Sequence, residues 1–156
     1  MTYPFAGTVW NARSRIIAEA IPAQASVYDF GGGEEELRSV LQTGAYVSID
    51  KYRCTPRTIV ADLDSEEWPE LMPADYAVAA GLLEYLDRPL PALKKFHDYA
   101  DRLIVSYCEK PNHPEAKATM DLLTFESILA GTGWTIEKFK DLESSSKHRI
   151  YFCKKS

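Results

Sequence analysis

Cysteine is scarce in this chain: Cys54, Cys108 and Cys153 are odd in number, widely separated and form no Cys-x-x-Cys pair. That spacing argues against a disulfide framework and a cysteine zinc site, and suits a reducing compartment. No apolar run approaches the ~20 residues of a bilayer-spanning helix. The first residues lack a basic segment followed by an apolar stretch, so no secretory signal is expected. Positive charge is short as well, with 18 Lys and Arg against 23 Asp and Glu and a formal charge of −5. Nucleic-acid binding normally leaves a basic patch. The nearest approach, Lys51, Arg53 and Arg57, reads as a solvated loop. The expectation is a soluble, cytoplasmic protein with neither a nucleic-acid nor a membrane partner.

There are only eight glycines, and three stand together in Val27-Tyr28-Asp29-Phe30-Gly31-Gly32-Gly33-Glu34-Glu35-Glu36-Leu37. Glycine turns between a strand and a helix commonly cradle phosphate. A dinucleotide fingerprint needs G-x-G-x-x-G, and Glu36 holds the third position here. No Gly-Lys-Ser/Thr follows, which excludes a Walker-type loop. A carboxylate ~6 Å from a phosphate charge costs on the order of 2–3 kcal/mol at an effective dielectric of ~20. A ligand without phosphate removes that conflict. S-adenosylmethionine carries a sulfonium, an ammonium and one carboxylate, so its cationic centres gain from neighbouring acids. Glycine still lets the backbone approach closely.

Around this turn, short apolar strands alternate with helices. A first helix is expected from about residue 12 to 20, with Asn11 as its N-cap, Ile16, Ile17 and Ala20 on one side, and Pro22 as its breaker. Strands are expected at 25–30, 45–50, 58–61, 75–80 and 102–107, and helices at 34–41, 91–99 and 124–130. Two closing strands at 134–140 and 149–153 are joined by a turn too short for a helical crossover, so they pair antiparallel. The fold class is α/β: a Rossmann-like, doubly wound, mainly parallel seven-stranded sheet with an antiparallel strand in its C-terminal hairpin. One domain is expected over 1–156, its first 24 residues a helical segment. Ligands of such sheets bind outside the carboxyl ends of the strands, where the order reverses. That rim gathers Asp29 to Gly33, Asp50, Asp62, Gly81 to Glu84 and Tyr107 to His113.

From residue 25 to 156 the chain resembles the class I SAM-dependent methyltransferases. Asp29-Phe30-Gly31-Gly32-Gly33 is similar to that family's first motif, an acid followed by x-G-x-G. Ala79-Ala80-Gly81-Leu82-Leu83-Glu84-Tyr85-Leu86 resembles the fourth, and Leu123-Thr124-Phe125 through Gly133-Trp134 the late step of helix, glycine and aromatic. The segments 60–64 and 104–107 look closest to small members of the methionine-biosynthesis W and glycan-cluster types. The resemblance implies S-adenosyl-L-methionine held by Asp29, Gly31, Gly33, Asp50, Asp62 and Leu63. Asp50 would hold the ribose hydroxyls, while Asp62 and the Leu63 N–H would meet adenine. No metal is expected. Glu35 departs from the pattern by replacing the third glycine, and Tyr85 by replacing a frequent histidine. Residues 51–57 leave little room for the usual helix, so that sheet edge is bare or covered by a partner.

Methyl transfer is an in-line displacement that depends on alignment, and a base in reach helps an O or N acceptor. His113, Tyr107 and Glu109, expected just past the fifth strand, are the catalytic candidates, with His113 foremost by its intrinsic pKa. His148 lies near the same rim, and His97 reads as a surface residue. Tyr3, Phe5 and Trp10 are candidates for a lid. With no cap domain visible, the acceptor is expected to be large and open to solvent, such as a glycan, or enclosed by another subunit, as in a homodimer. The expected function is transfer of a methyl group to a metabolite or glycan. The alternative is a non-catalytic SAM-binding or methyltransferase-fold regulatory or interaction module. A nicotinamide-dependent oxidoreductase is disfavoured by Glu36 and the final hairpin.

Overall fold

A computed structural model describes residues 8–117, 119–142 and 147–156, with side chains from Ala12 onward. In chain order the elements are α1 (Thr8–Glu19), β1 (Val27–Phe30), α2 (Glu36–Val40), β2 (Tyr46–Asp50), β3 (Ile59–Val60) and β4 (Ala74–Ala79). A 3₁₀ turn (Leu83–Tyr85), α3 (Pro89–Lys95) and a second 3₁₀ turn (Phe96–Asp98) follow. The chain ends with β5 (Ala100–Cys108), α4 (Leu122–Gly131), β6 (Trp134–Leu142) and β7 (His148–Lys155). The seven strands form one sheet in the order β3-β2-β1-β4-β5-β7-β6. Among the described residues β7 alone points opposite to the other six strands, and the order reverses between β1 and β4.

Strand side chains alternate between the two faces, and each face has its own core. Phe30, Ala77, Ala79, Leu103, Val105 and Tyr151 pack against α3, Phe96 and α4. Val27, Val78, Ile104, Ile150 and Phe152 pack against Ile17 and Ile21 of α1 and Leu37 of α2. Because β5 runs to Cys108, Tyr107 belongs to the strand rather than to the loop beyond it. It shares the face of Leu103 and Val105.

Local chemistry sets the ends of the elements. Asp121 caps α4 by accepting from the Thr124 N–H at 2.7 Å, so that helix begins ahead of the expected 124. Asn11, expected as a cap, lies inside α1, which starts at Thr8. Gly133 has φ +90, and a Cβ there would lie 2.9 Å from Nε2 of His97. His97 is half-buried, stacked on Trp134 at 4.2 Å with Nε2 2.7 Å from the Thr132 carbonyl, so it is not the surface residue expected. Trp134 in turn donates its indole N–H to the Leu93 carbonyl at 2.9 Å. The glycine–aromatic step is therefore the joint between α4, the second 3₁₀ turn and the sheet. Residues 51–58 form turns rather than a helix, with the Thr55 N–H donating to Thr58 Oγ1 at 3.0 Å, and β3 is a two-residue edge.

Candidate functional site

The glycine turn closes β1. Gly31 and Gly33 have φ +75 and +55, values that glycine adopts without a steric penalty. Gly32 is needed for room: a Cβ there would lie 2.4 Å from Ser48 Oγ and 3.1 Å from Asp29 Oδ2 and the Tyr46 hydroxyl. Side chains of β1 and β2 thus fill the space beneath the turn. Glu35, at the place of the third glycine, adopts φ 62 and ψ 40. For a non-glycine residue that conformation costs about 1–2 kcal/mol. Its side chain is only 4% exposed and its carboxylate lies 3.2 Å from Arg57 and 3.8 Å from Arg38. The acid is thereby turned toward the 51–58 loop.

Four charged groups lie buried under the rim. Asp50 accepts the Gly33 N–H at 3.0 Å and the Tyr52 N–H at 3.1 Å, one on each oxygen. Each oxygen of an ionised carboxylate keeps a further lone pair. Asp29 accepts from the Tyr46 hydroxyl. Burial pushes its carboxyl up to about 6, against the pull of that hydrogen bond and of the Arg13 charge. Glu84 is 2% exposed and accepts the Cys108 N–H at 3.3 Å. Burial pushes it up to about 7, with Arg13 and the Cys108 N–H opposing. Arg13, 6% exposed, is lowered by burial to about 10, with Glu84 and Asp29 the largest opposing charges. Glu84 and Asp29 therefore share one buried guanidinium, while Asp50 is held by two backbone N–H groups.

The loop after β3 is built differently. Asp62 is exposed and accepts the Asp64 N–H at 3.0 Å, an Asx turn. The Leu63 side chain is in the core. Asp64 accepts the Arg88 N–H at 3.0 Å and so ties the loop to the start of α3. A cavity of about 250 Å³ lies beside it, lined by Leu63, Trp68, Arg88 and Lys95 among others.

On the other side of the rim, His113 packs edge-on against Tyr85, ring centres 5.6 Å apart. Its Nδ1 accepts the Glu115 N–H at 3.1 Å. The loop carrying it is fastened to the 3₁₀ turn, because the Lys117 N–H donates to the Glu84 carbonyl at 2.6 Å and Lys117 Nζ pairs with Asp87 at 2.5 Å. An imidazole thus stands beside Tyr85, supplied by another segment of the chain. Burial first, then the Glu84 charge, pushes the Tyr85 phenol up to about 12. Tyr107 is fully buried, stacked on Phe125 at 4.3 Å, and its hydroxyl accepts the Met120 N–H at 3.4 Å. Glu109 accepts the Leu122 N–H at 3.3 Å and pairs with Lys147 at 3.5 Å, pinning the start of α4 to the final hairpin.

The structure thus brings Asp29, Gly31, Gly33 and Asp50 together, and separately His113, Tyr85 and the Glu84 backbone. Asp62 and Leu63 face solvent and core respectively, while Tyr107 and Glu109 hold the surrounding frame. Tyr3, Phe5 and the Trp10 side chain lie outside the described residues. The residue that sequence reasoning missed is Arg13. Its signal was present: it precedes Ile16 and Ile17 by three and four positions, which places it on the buried face of an amphipathic helix. Among the described residues, no group of three or more His, Cys, Asp or Glu side chains is placed to hold a metal ion.

No protein-family model and no curated protein matches the sequence. Solved structures do match in fold. A TehB-like SAM-dependent methyltransferase from Corynebacterium glutamicum is 19% identical, with 92% of this chain and 86% of that one covered and a TM-score of 0.68. The 1,6-didemethyltoxoflavin-N1-methyltransferase of Burkholderia thailandensis, solved with 1,6-didemethyltoxoflavin and S-adenosylhomocysteine, is 16% identical, with 96% and 81% covered and a TM-score of 0.73. The [4+2]-cyclase SpnF is 13% identical, with 93% and 80% covered and a TM-score of 0.75. A methyltransferase and a cyclase on one fold show that the fold alone does not dictate the chemistry.

Proposed function

We propose that this chain, which has the fold of the class I SAM-dependent methyltransferases, binds S-adenosyl-L-methionine across the ends of β1 and β2 and methylates an O or N nucleophile of a small molecule or glycan. The observation that carries this reading is the surplus of buried acid at the rim, Asp29, Asp50 and Glu84 against Arg13. A buried carboxylate without a compensating charge is costly, and burial has already raised Asp29 and Glu84 toward their neutral forms. A cationic ligand reverses that penalty, whereas a phosphate deepens it.

The residues divide the donor among themselves. The remaining lone pairs of Asp50 suit ribose hydroxyls, Asp29 and Glu84 suit the cationic centres, and Arg13 suits the donor's carboxylate. The Asp62–Leu63 loop closes the adenine end. The bound donor supplies an electrophilic methyl group. The chain's task is to align it and keep water away, for which buried, hydrogen-bonded side chains are well suited. His113 against Tyr85 stands on the acceptor side. With its Nδ1 taken by the Glu115 N–H, its other ring nitrogen carries the proton, which suits it to donate to an acceptor's oxygen. Tyr107 and Glu109 fix the segments on either side of that loop. No helix among the described residues is long and apolar enough to cross a membrane, and we place the protein in the cytoplasm.

Titration calorimetry tests the reading. S-adenosylmethionine is expected to bind the parent, and Asp50→Ala to weaken it by at least about tenfold, the loss of one or two charge-assisted hydrogen bonds. Equal affinity in parent and variant would remove the ribose assignment. Absence of binding by the parent would remove the function.

A further inference from the structure

The first residue of β7 carries an unused group. His148 is 7% exposed, and its Nε2 is buried with no hydrogen-bond partner among the described residues. Leaving such an atom unpaired costs about 1–3 kcal/mol, so its retention in the core of a site calls for a ligand. Its position is defined by the ladder: His148 stands opposite Cys108 on β5 and Leu142 on β6. In the alternation along β7 it shares the face of Ile150 and Phe152, the face covered by α1. The Cys108 N–H is held by Glu84, and Arg13 of α1 acts electrostatically on both Glu84 and His148. The imidazole therefore borders the buried charged cluster on its β5–β7 side, away from the glycine turn and Asp50.

We infer that His148 Nε2 is the seat of the methyl acceptor, and that the acceptor presents a neutral hydroxyl there, which makes the transfer an O-methylation. This inference rests on the methyltransferase reading above. The chemistry of the surroundings selects the class. Burial first, and the Arg13 charge second, lower the ring to about 4, so it is neutral at physiological pH and offers an anion no charge of its own. With the donor's sulfonium and ammonium already set against Asp29 and Glu84, the cluster has no acid left to hold an ammonium acceptor, which disfavours an alkyl amine. An uncharged hydroxyl donates its hydrogen to the orphaned nitrogen without adding charge to the cluster. As its oxygen bonds to the methyl carbon, the carbon–sulfur bond of the donor breaks to leave S-adenosylhomocysteine, and the hydroxyl proton passes to His148 Nε2.

The test uses full-length protein with ¹⁵N-labelled histidine, its three imidazoles assigned through His97, His113 and His148 variants. S-adenosylhomocysteine is added first, and its binding or lack of it reports on the methyltransferase reading alone. Phenol, benzoate and benzylamine are then titrated separately. Phenol is expected to move the Nε2 resonance of His148, and His148→Phe to raise the phenol dissociation constant about tenfold while leaving that of S-adenosylhomocysteine unchanged. His148→Asn serves if the Phe variant does not fold. A His148 signal that phenol leaves unmoved overturns the inference, as does one that benzoate or benzylamine moves equally. If phenol moves His148 but S-adenosylhomocysteine does not bind, the hydroxyl seat stands and the methyltransferase reading falls.

Discussion

Glu35 holds a left-handed backbone at φ 62, where the pattern of the first motif calls for glycine. Two substitutions separate what its backbone costs from what its carboxylate contributes. Glu35→Ala and Glu35→Gly both delete the ion pairs to Arg57 and Arg38, but only glycine relieves the conformation. The Gly variant is expected to be more stable than the Ala variant by about 1 kcal/mol, read as a shift in urea midpoint at constant slope. The opposite order would mean that the strain argument is mistaken. Arg57 is 63% exposed, so its pair with Glu35 contributes little once discounted for solvent. At this scale the sequence was legible where a residue type forces geometry. Asp29, the three glycines and Asp50 could be read because turns and strand ends constrain them locally. Tyr107 could not, since its stacking on Phe125 depends on a helix that arrives 15 residues later. The pairing of His113 with Tyr85 likewise joins segments 28 positions apart.

Between elements, the joint at Gly133 makes the sharpest prediction. Gly133→Ala places a Cβ 2.9 Å from His97 Nε2 and forces φ +90 on alanine. The His97–Trp134 stack and the hydrogen bond from Trp134 to Leu93 are set by that same joint. A loss of about 2–4 kcal/mol is expected, with Trp fluorescence reporting the disturbed indole. Retention of parental stability would show that the joint yields freely. The strands were legible from apolar runs bounded by turn residues, and the final hairpin from its short connection. The insertion of β7 between β5 and β6 follows from no local pattern. The start of α1 was misplaced because Asn11, a good capping residue, lies within the helix.

For the molecule as a whole, the buried titratable groups set opposing pH dependences. The folded carboxyls of Glu84 and Asp29, raised to about 7 and about 6, hold protons that the unfolded chain releases near its ordinary values. Their contribution therefore falls as pH rises from about 4.5 to 7 for Glu84, and from about 4 to 6 for Asp29. For Glu84 this amounts to on the order of 3 kcal/mol. His148 behaves oppositely. Lowered to about 4, it resists a proton that the unfolded chain takes up near 6.5, so its contribution is lost as pH falls through that window. Two carboxyls act against one imidazole, so between about pH 4.5 and 6 the parent is expected to gain stability on acidification with a net slope of about one proton. His148→Asn should remove the opposing arm and make that gain about twice as steep. Urea melts across that range check this, and a flat profile in the variant would contradict the burial of the two carboxyls.

The hydrogen bond from the Lys117 N–H to the Glu84 carbonyl has a kinetic consequence. It latches the segment bearing His113 to the turn whose Glu84 side chain borders Arg13 and holds the Cys108 N–H opposite His148, so the proposed donor and acceptor berths share one mechanical element. If occupancy of either berth repositions that latch, the two affinities change by a common factor in both directions. Order of addition would then show in the rates, with the second ligand meeting a berth already set by the first.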